Sequence, residues 1–328
     1  MRKTFTDNFV TPNIFVIFLL FLCYAGAWIF ASFAGSTTNT VNIEHFSPLA
    51  VTLQSIFAQN ELIPNILSFF ICLLNAFLLL LFNNRFSLVR ARTSLPVIIF
   101  LLLTCGAFNS YTLFSCHLAL TLFIVALFLF FEMYHNKAVE KAFMGSFLTT
   151  CASLIIPQYI FIIVVFWIAL LSYKAFSART FLASIFGVLT PIILYFSCLY
   201  LIDGSVDFYQ YMMCFIPREI GFNSDFSLID IIYQSIMLLF FIICTITVYH
   251  DINKDIVRTR KNLNFCFIIL LCSIVIRLGY AESFEPLMPL TLLGYTIFFS
   301  HTFTLKQTKF QQIVFILFCL INILFVFL

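Results

Sequence analysis

The chain has 328 residues, 62% of them hydrophobic and 9% charged, against about 45–50% and about 25% in a water-soluble domain. That excludes an ordinary soluble core and points to several apolar spans of about 20 residues in a bilayer. The net charge is only +3 and no basic run is present, so nothing in the chain invites nucleic acid.

The opening segment, MRKTFTDNFV, sets two positive charges before an apolar run, as a signal peptide does. The run from Ile14 to Ala34 is longer than the about 7–15 residues of a signal's apolar part. It reads as a retained first span, roughly 12–34. The polar segment 35–61 follows. Its second half spaces Leu49, Leu53, Ile56 and Phe57 as an amphipathic helix lying on the membrane surface. Further spans are expected at about 62–82, 95–108, 113–133, 141–156, 159–173, 180–202, 228–249, 263–279, 286–301 and 310–328. Pro157-Gln158 marks a tight reversal, and the stretch 203–226 is a second polar, interfacial loop. The fold expected is all-α: one transmembrane bundle over 1–328, with about eleven spans and ten as the alternative. The 46 phenylalanines exceed what a soluble core needs, but lipid-facing helices tolerate them.

Charge tests the count independently. With the amino terminus cytoplasmic, all of the 17 Lys and Arg except Arg218 and Arg277 fall in inner segments. Most acids fall on the outer face, among them Glu44, Glu61, Asp203, Asp207, Glu219 and Asp225. The localisation this implies is the bacterial inner membrane, multi-pass, with lipid as the obligatory partner and other membrane proteins as further ones.

Chemistry-bearing motifs are few. There is no phosphate-binding loop, no nucleophile motif, no GxxxG and no inverted repeat. The eleven cysteines show no CxxC and no histidine at metal spacing, so no metal or cofactor is expected. Cys105 and Cys116 flank one short turn and are close enough in sequence to pair. The histidines split between faces, His45 and His117 outer, His135, His250 and His301 inner, which excludes a four-histidine iron site. His117 reads as a packing residue or, failing that, a proton relay.

Three positions stand out. Arg218, in FIPREIGF, breaks the charge rule; it either pairs with Glu219 or clamps a phosphate through its planar fork. Arg277 ends the ninth span; it either snorkels to the interface or makes a second phosphate contact, with Tyr280 nearby. Glu44, beside His45, is the first acid of the outer loop 35–61; it is either a solvated carboxylate or a general base.

Two resemblances follow. Residues 141–196, KAFMGSFLTTCASLIIPQYIFIIVVFWIALLSYKAFSARTFLASIFGVLTPIILYF, look like the central region of an uncharacterised family of bacterial polytopic inner-membrane proteins. The run FEPLMPLTLLGYTIFFSH at 284–301 looks like that family's late span. Residues 62–173 resemble the plan of GT-C glycosyltransferases: a span, the basic turn RFSLVRART, a short hairpin through NSYTLF, then HLALTLFIVALFLFF and FMGSFLTTCASLIIPQYIF. That resemblance implies short paired helices and a polyprenyl-phosphate-linked sugar as donor on the outer face. It would make Glu44 the base and Arg218 and Arg277 phosphate partners. One feature departs from the pattern: residues 35–43 hold no acid, where such enzymes carry an Asp or paired acids. A non-enzymatic scaffold and a transporter or flippase are the rivals, and the near absence of ionisable groups at mid-span weighs against transport.

Overall fold

The computed structural model describes residues 24–26, 28, 47–57, 62–89, 93–106, 114–203, 228–279, 286–305 and 309–327. Among them there are helices and no strands. In chain order the helices are α1 (Pro48–Phe57), α2 (Leu62–Phe86), α3 (Leu95–Gly106), α4 (Phe114–Glu132), α5 (Val139–Ile155), α6 (Phe161–Ser172), α7 (Ala178–Asp203), α8 (Leu228–Asp251), α9 (Val257–Gly279), α10 (Met288–Leu305) and α11 (Lys309–Phe327). Five of them, α2, α4, α7, α8 and α9, are long and apolar enough to cross a membrane. Helices α3 and α6 have 12 residues each, about 18 Å at about 1.5 Å per residue, and pack among longer neighbours.

Local chemistry sets the breaks. Ile156 is extended ahead of Pro157, as a residue before proline prefers. The 3-10 turn Pro157–Ile160 then carries the chain into α6, at the predicted reversal. Two links, those leaving α4 and α6, close through His135 and Lys174 in the left-handed region, with φ of 57° and 56°. Ser47 caps α1: its hydroxyl accepts from the Ala50 N–H at 3.2 Å and donates to the Ile155 carbonyl at 2.7 Å, fastening α1 to the end of α5.

Cross-links between links give the bundle two distinguishable ends. Arg258 at the start of α9 donates to the Phe131 carbonyl near the end of α4. The His135 N–H donates to the Tyr173 carbonyl, and the Tyr173 hydroxyl donates to Asn262 at 2.9 Å. Lys261 donates to Ser172, and His301 of α10 meets the Leu88 carbonyl. One end thus gathers Arg85, Lys137, Lys141, Lys174, Arg179, Lys254, Arg258, Arg260 and Lys261, and is called here the basic end. Arg277, at the far end of α9, lies at the opposite end. Helix α9 starts at Val257 rather than about 263. Its charged first turns stay helical because Arg258 lies over the rings of Phe86 and Tyr134, at 5.5 and 5.8 Å, as well as bonding Phe131.

Many of the phenylalanines face inward, while others, such as Phe70, Phe77 and Phe186, are exposed as lipid-facing helices tolerate. Phe130 stacks on Phe166 at 3.8 Å, Phe82 meets Phe131 at 4.8 Å, Phe241 meets Phe298 edge-on at 5.5 Å, and Phe299 meets Phe318 at 5.3 Å. Apolar lipid gives no hydrophobic reason to bury them; interlocking rings gain by dispersion and edge-to-face contact instead.

Candidate functional site

Of the residues that the sequence singles out, Glu44, His45, Arg218, Glu219 and Tyr280 lie outside the described residues. Arg277 is described, and it is 5% exposed. Helical side chains lean toward their helix's amino terminus, and α9 begins at the basic end, so the Arg277 stem leans back into the bundle. Its guanidinium lies within electrostatic range of Tyr295 on α10. The carboxyl end of a helix carries a partial negative charge, which favours a cation in that turn. One turn back, the Ser273 and Thr291 hydroxyls meet at 3.4 Å across the α9–α10 seam, and Gln234 of α8 reaches the Met288 sulfur at 3.2 Å. This end of the α8–α9–α10 seam therefore holds a cation, hydroxyls, an amide and a phenol, all on apolar helices. The Ser273 and Thr291 hydroxyls also donate to the Leu270 and Leu287 carbonyls of their own helices, at 2.8 and 3.2 Å.

His117 is 1% exposed, and its backbone carbonyl accepts from Asn75 at 3.0 Å and from Thr121 at 2.9 Å. It belongs to a knot that ties α2 to α4. Cys105 and Cys116 are both buried and not joined by a disulfide. Among the described residues no group of three or more His, Cys, Asp or Glu is placed to hold a metal ion.

The basic end carries polar clusters that the sequence did not single out. Glu132 at the end of α4 pairs with Arg85 of α2 and with Lys141 of α5, the latter at 2.6 Å. Lys254 pairs with Asp251 at 2.6 Å. His301 and Asp255 face each other at 3.2 Å with side chains 0% and 1% exposed. The available signal was weak: a histidine near the end of an otherwise uncharged span, and the second of two acids in the loop HDINKDIVRTRKN.

The architecture defines an all-helical protein with membrane-capable helices. No family model matches the chain, and no curated protein or solved structure matches it either. The two resemblances above rest on the quoted residues alone.

Proposed function

We propose that this chain is a multi-pass protein of the bacterial inner membrane, with a cytoplasmic amino terminus and eleven spans, that holds a polyprenyl-phosphate-linked sugar at the end opposite its basic loops, as GT-C glycosyltransferases do. The observation that carries this reading is Arg277: a guanidinium buried in the bundle at an end where the described residues hold few cations, within electrostatic range of Tyr295. A buried cation is retained where it meets an anion, and the planar fork suits phosphate oxygens. In this reading Arg218 and Arg277 hold the phosphate, with Glu219 and Tyr280 beside them. Glu44, next to His45, takes the proton from the acceptor hydroxyl.

The test is binding of a polyprenyl phosphate to the purified full chain in detergent, compared with R277K and R277Q. Loss of a charged hydrogen-bonding partner is expected to weaken binding about tenfold to a hundredfold in R277Q. R277K should bind with intermediate strength. Equal binding by wild type and both variants would remove Arg277 from the site.

A second reading, a non-enzymatic scaffold for envelope assembly, is favoured by one observation. The interior is filled by interlocked rings such as Phe130–Phe166 and Phe299–Phe318, which suits a rigid support. No lipid-phosphate binding by the wild type, together with co-purification of envelope proteins, would select it.

A further inference from the structure

The cations of the basic end are of two kinds. Arg85 and Lys141 pair with Glu132, Lys254 pairs with Asp251, and Arg258 lies over Phe86 and Tyr134. Lys174, Arg179 and Lys261 have no acidic partner among the described residues. These three gather at the link from α6 to α7. Lys174 lies within it, Arg179 is the second residue of α7, and Lys261 reaches over from α9. The Lys261 ammonium donates to the Ser172 hydroxyl at 3.3 Å, two residues before Lys174.

The backbone that carries them is fixed. The Ala175 N–H donates to the Leu170 carbonyl at 3.0 Å, which closes the end of α6 while Lys174 sits in the left-handed region. Ser177 and Thr180 cap the start of α7, each hydroxyl accepting from the other's N–H, at 3.2 and 2.8 Å. Between them Tyr173 is buried, donates to Asn262 of α9 and takes the His135 N–H on its carbonyl. The link is thus tied to α6, α7, α9 and the α4–α5 link, while the Lys174 and Arg179 side chains stay exposed. Cations held on an ordered frame lose little freedom when they meet an anion.

Below the cations the surface is apolar. Val164, Ile168 and Leu171 recur at helical spacing along α6 and are 51, 48 and 61% exposed, and the stripe ends at Ser172. A solvated charged face has no use for such a stripe, and a purely apolar partner has none for the cations. An amphiphile with an anionic head and apolar tails satisfies both.

We propose that Lys174, Arg179 and Lys261 hold the head group of an anionic phospholipid whose acyl chains lie along Val164, Ile168 and Leu171. The two ammonium groups and the guanidinium fork donate to its phosphate oxygens, and the Ser172 hydroxyl, which accepts from Lys261, keeps its own hydrogen for the same oxygens. The occupant neutralises three like charges that have no acid among them. The site requires the helices to lie in a bilayer. It is independent of the polyprenyl-phosphate reading at the opposite end.

The test is binding of dioleoylphosphatidylglycerol, which is anionic, and dioleoylphosphatidylethanolamine, which is net neutral, to the purified full chain in detergent. Wild type is expected to prefer the anionic lipid about tenfold. K174Q/K261Q should lose that preference and bind the anionic lipid about tenfold to thirtyfold more weakly. R85Q/K254Q removes the same charge from the same end and should keep the preference. R277Q should keep it too, so failure of this site and failure of the polyprenyl-phosphate site are told apart. If K174Q/K261Q does not fold, R179Q carries the test, with an expected loss of about fivefold. Equal binding of the two lipids by wild type overturns the proposal. So does an equal loss in the two double variants, which would make the attraction a diffuse property of the basic end. Displacement of the lipid by inorganic phosphate at the lipid's own concentration would mean that phosphate alone is read, and overturns the lipid assignment.

Discussion

Helices α7 and α10 sit at opposite extremes of the bundle. Helix α7 points Leu182, Phe186, Leu189, Ile193 and Leu194 outward and buries Thr180, Ser184, Gly187 and Pro191. Helix α10 is buried nearly all round, yet it carries Thr291, Thr296, Ser300, His301 and Thr302. Bulky apolar side chains cover the outward face of α7, and on α10 hydroxyls are buried alongside Phe298 and Phe299. In water the outward face would be polar instead. In lipid the tails are as apolar as any core, so burial is decided by fit and by hydrogen bonding: small side chains let backbones approach, and hydroxyls are best hidden. The seam between α5 and α7 shows the first half. Buried Ser146 lines it from α5, and a Cβ on Gly187 would run into the Phe143 carbonyl oxygen and crowd the Ser146 Cβ.

The largest effect that would sharpen this contrast belongs to that seam. Gly187→Leu is expected to cost about 3 kcal/mol or to prevent folding, at the upper end of overpacking penalties, because the obstacle is backbone. Leu189→Ala, on the outward face, should change stability by less than about 0.5 kcal/mol. Unfolding in mixed micelles measures both, and equal costs would mean that α7 is not seated by its small residues. Next comes Phe298→Ala on α10, 0% exposed. It is expected to cost about 2 kcal/mol, below the ~3–5 kcal/mol of a soluble core, since the cavity cost remains while transfer to lipid gains little. Phe186→Ala on α7 should cost almost nothing by the same assay. A smaller effect is expected at Ser184, which accepts from the Trp167 ring N–H at 2.9 Å. Its replacement by Ala should cost about 0.6 kcal/mol, the usual size of a hydrogen bond between membrane helices. A cost above about 2 kcal/mol would mean that the serine does more than receive that bond.

The same inversion explains what could be read from the sequence. Helix positions were legible because charge and apolar length are local: α2 was expected at about 62–82 and lies at Leu62–Phe86, and α8 was expected at about 228–249 and lies at Leu228–Asp251. The early start of α9 was missed because its charged first turns are supported by partners on α4 and the α6–α7 link, which local pattern does not contain. The sequence offered two readings of Arg277, snorkelling to the interface or a second phosphate contact; its burial in the bundle was in neither, because it depends on the helices packed around α9. The pairing of His301 with Asp255 needed α10 at the centre, and α10 looks like other late spans in composition. The α5–α7 seam has no GxxxG; Gly187 of α7 sits against Phe143 and Ser146 of α5, while Gly145 of α5 sits against Phe130 of α4, and neither pairing can be read from local pattern. For Glu44, His45, Arg218, Glu219 and Tyr280 the sequence reading stands as a proposal.

The finest test of the contrast is Thr296→Val on α10. Thr296 is fully buried, and its hydroxyl donates to the Leu292 carbonyl one turn back in the same helix, at 2.7 Å. Threonine and valine have nearly the same shape, so no cavity forms. The Leu292 carbonyl keeps its place in the helical ladder, so no acceptor is stranded by losing the second bond. If hydroxyls on α10 are merely tolerated because each is satisfied within its own helix, the substitution should change stability by less than about 0.5 kcal/mol. Ser300, whose hydroxyl donates to the Thr296 carbonyl, should behave alike when changed to Ala. Thr302 differs, because its hydroxyl also approaches the Cys244 carbonyl of α8 at 3.4 Å, so Thr302→Val should cost slightly more than Thr296→Val. That ordering separates satisfaction within a helix from polar bonding between helices. A loss above about 1.5 kcal/mol for Thr296→Val would show that the hydroxyl serves a partner beyond Leu292. The polarity of α10 would then be part of what holds the bundle together, and the explanation by tolerance would fail.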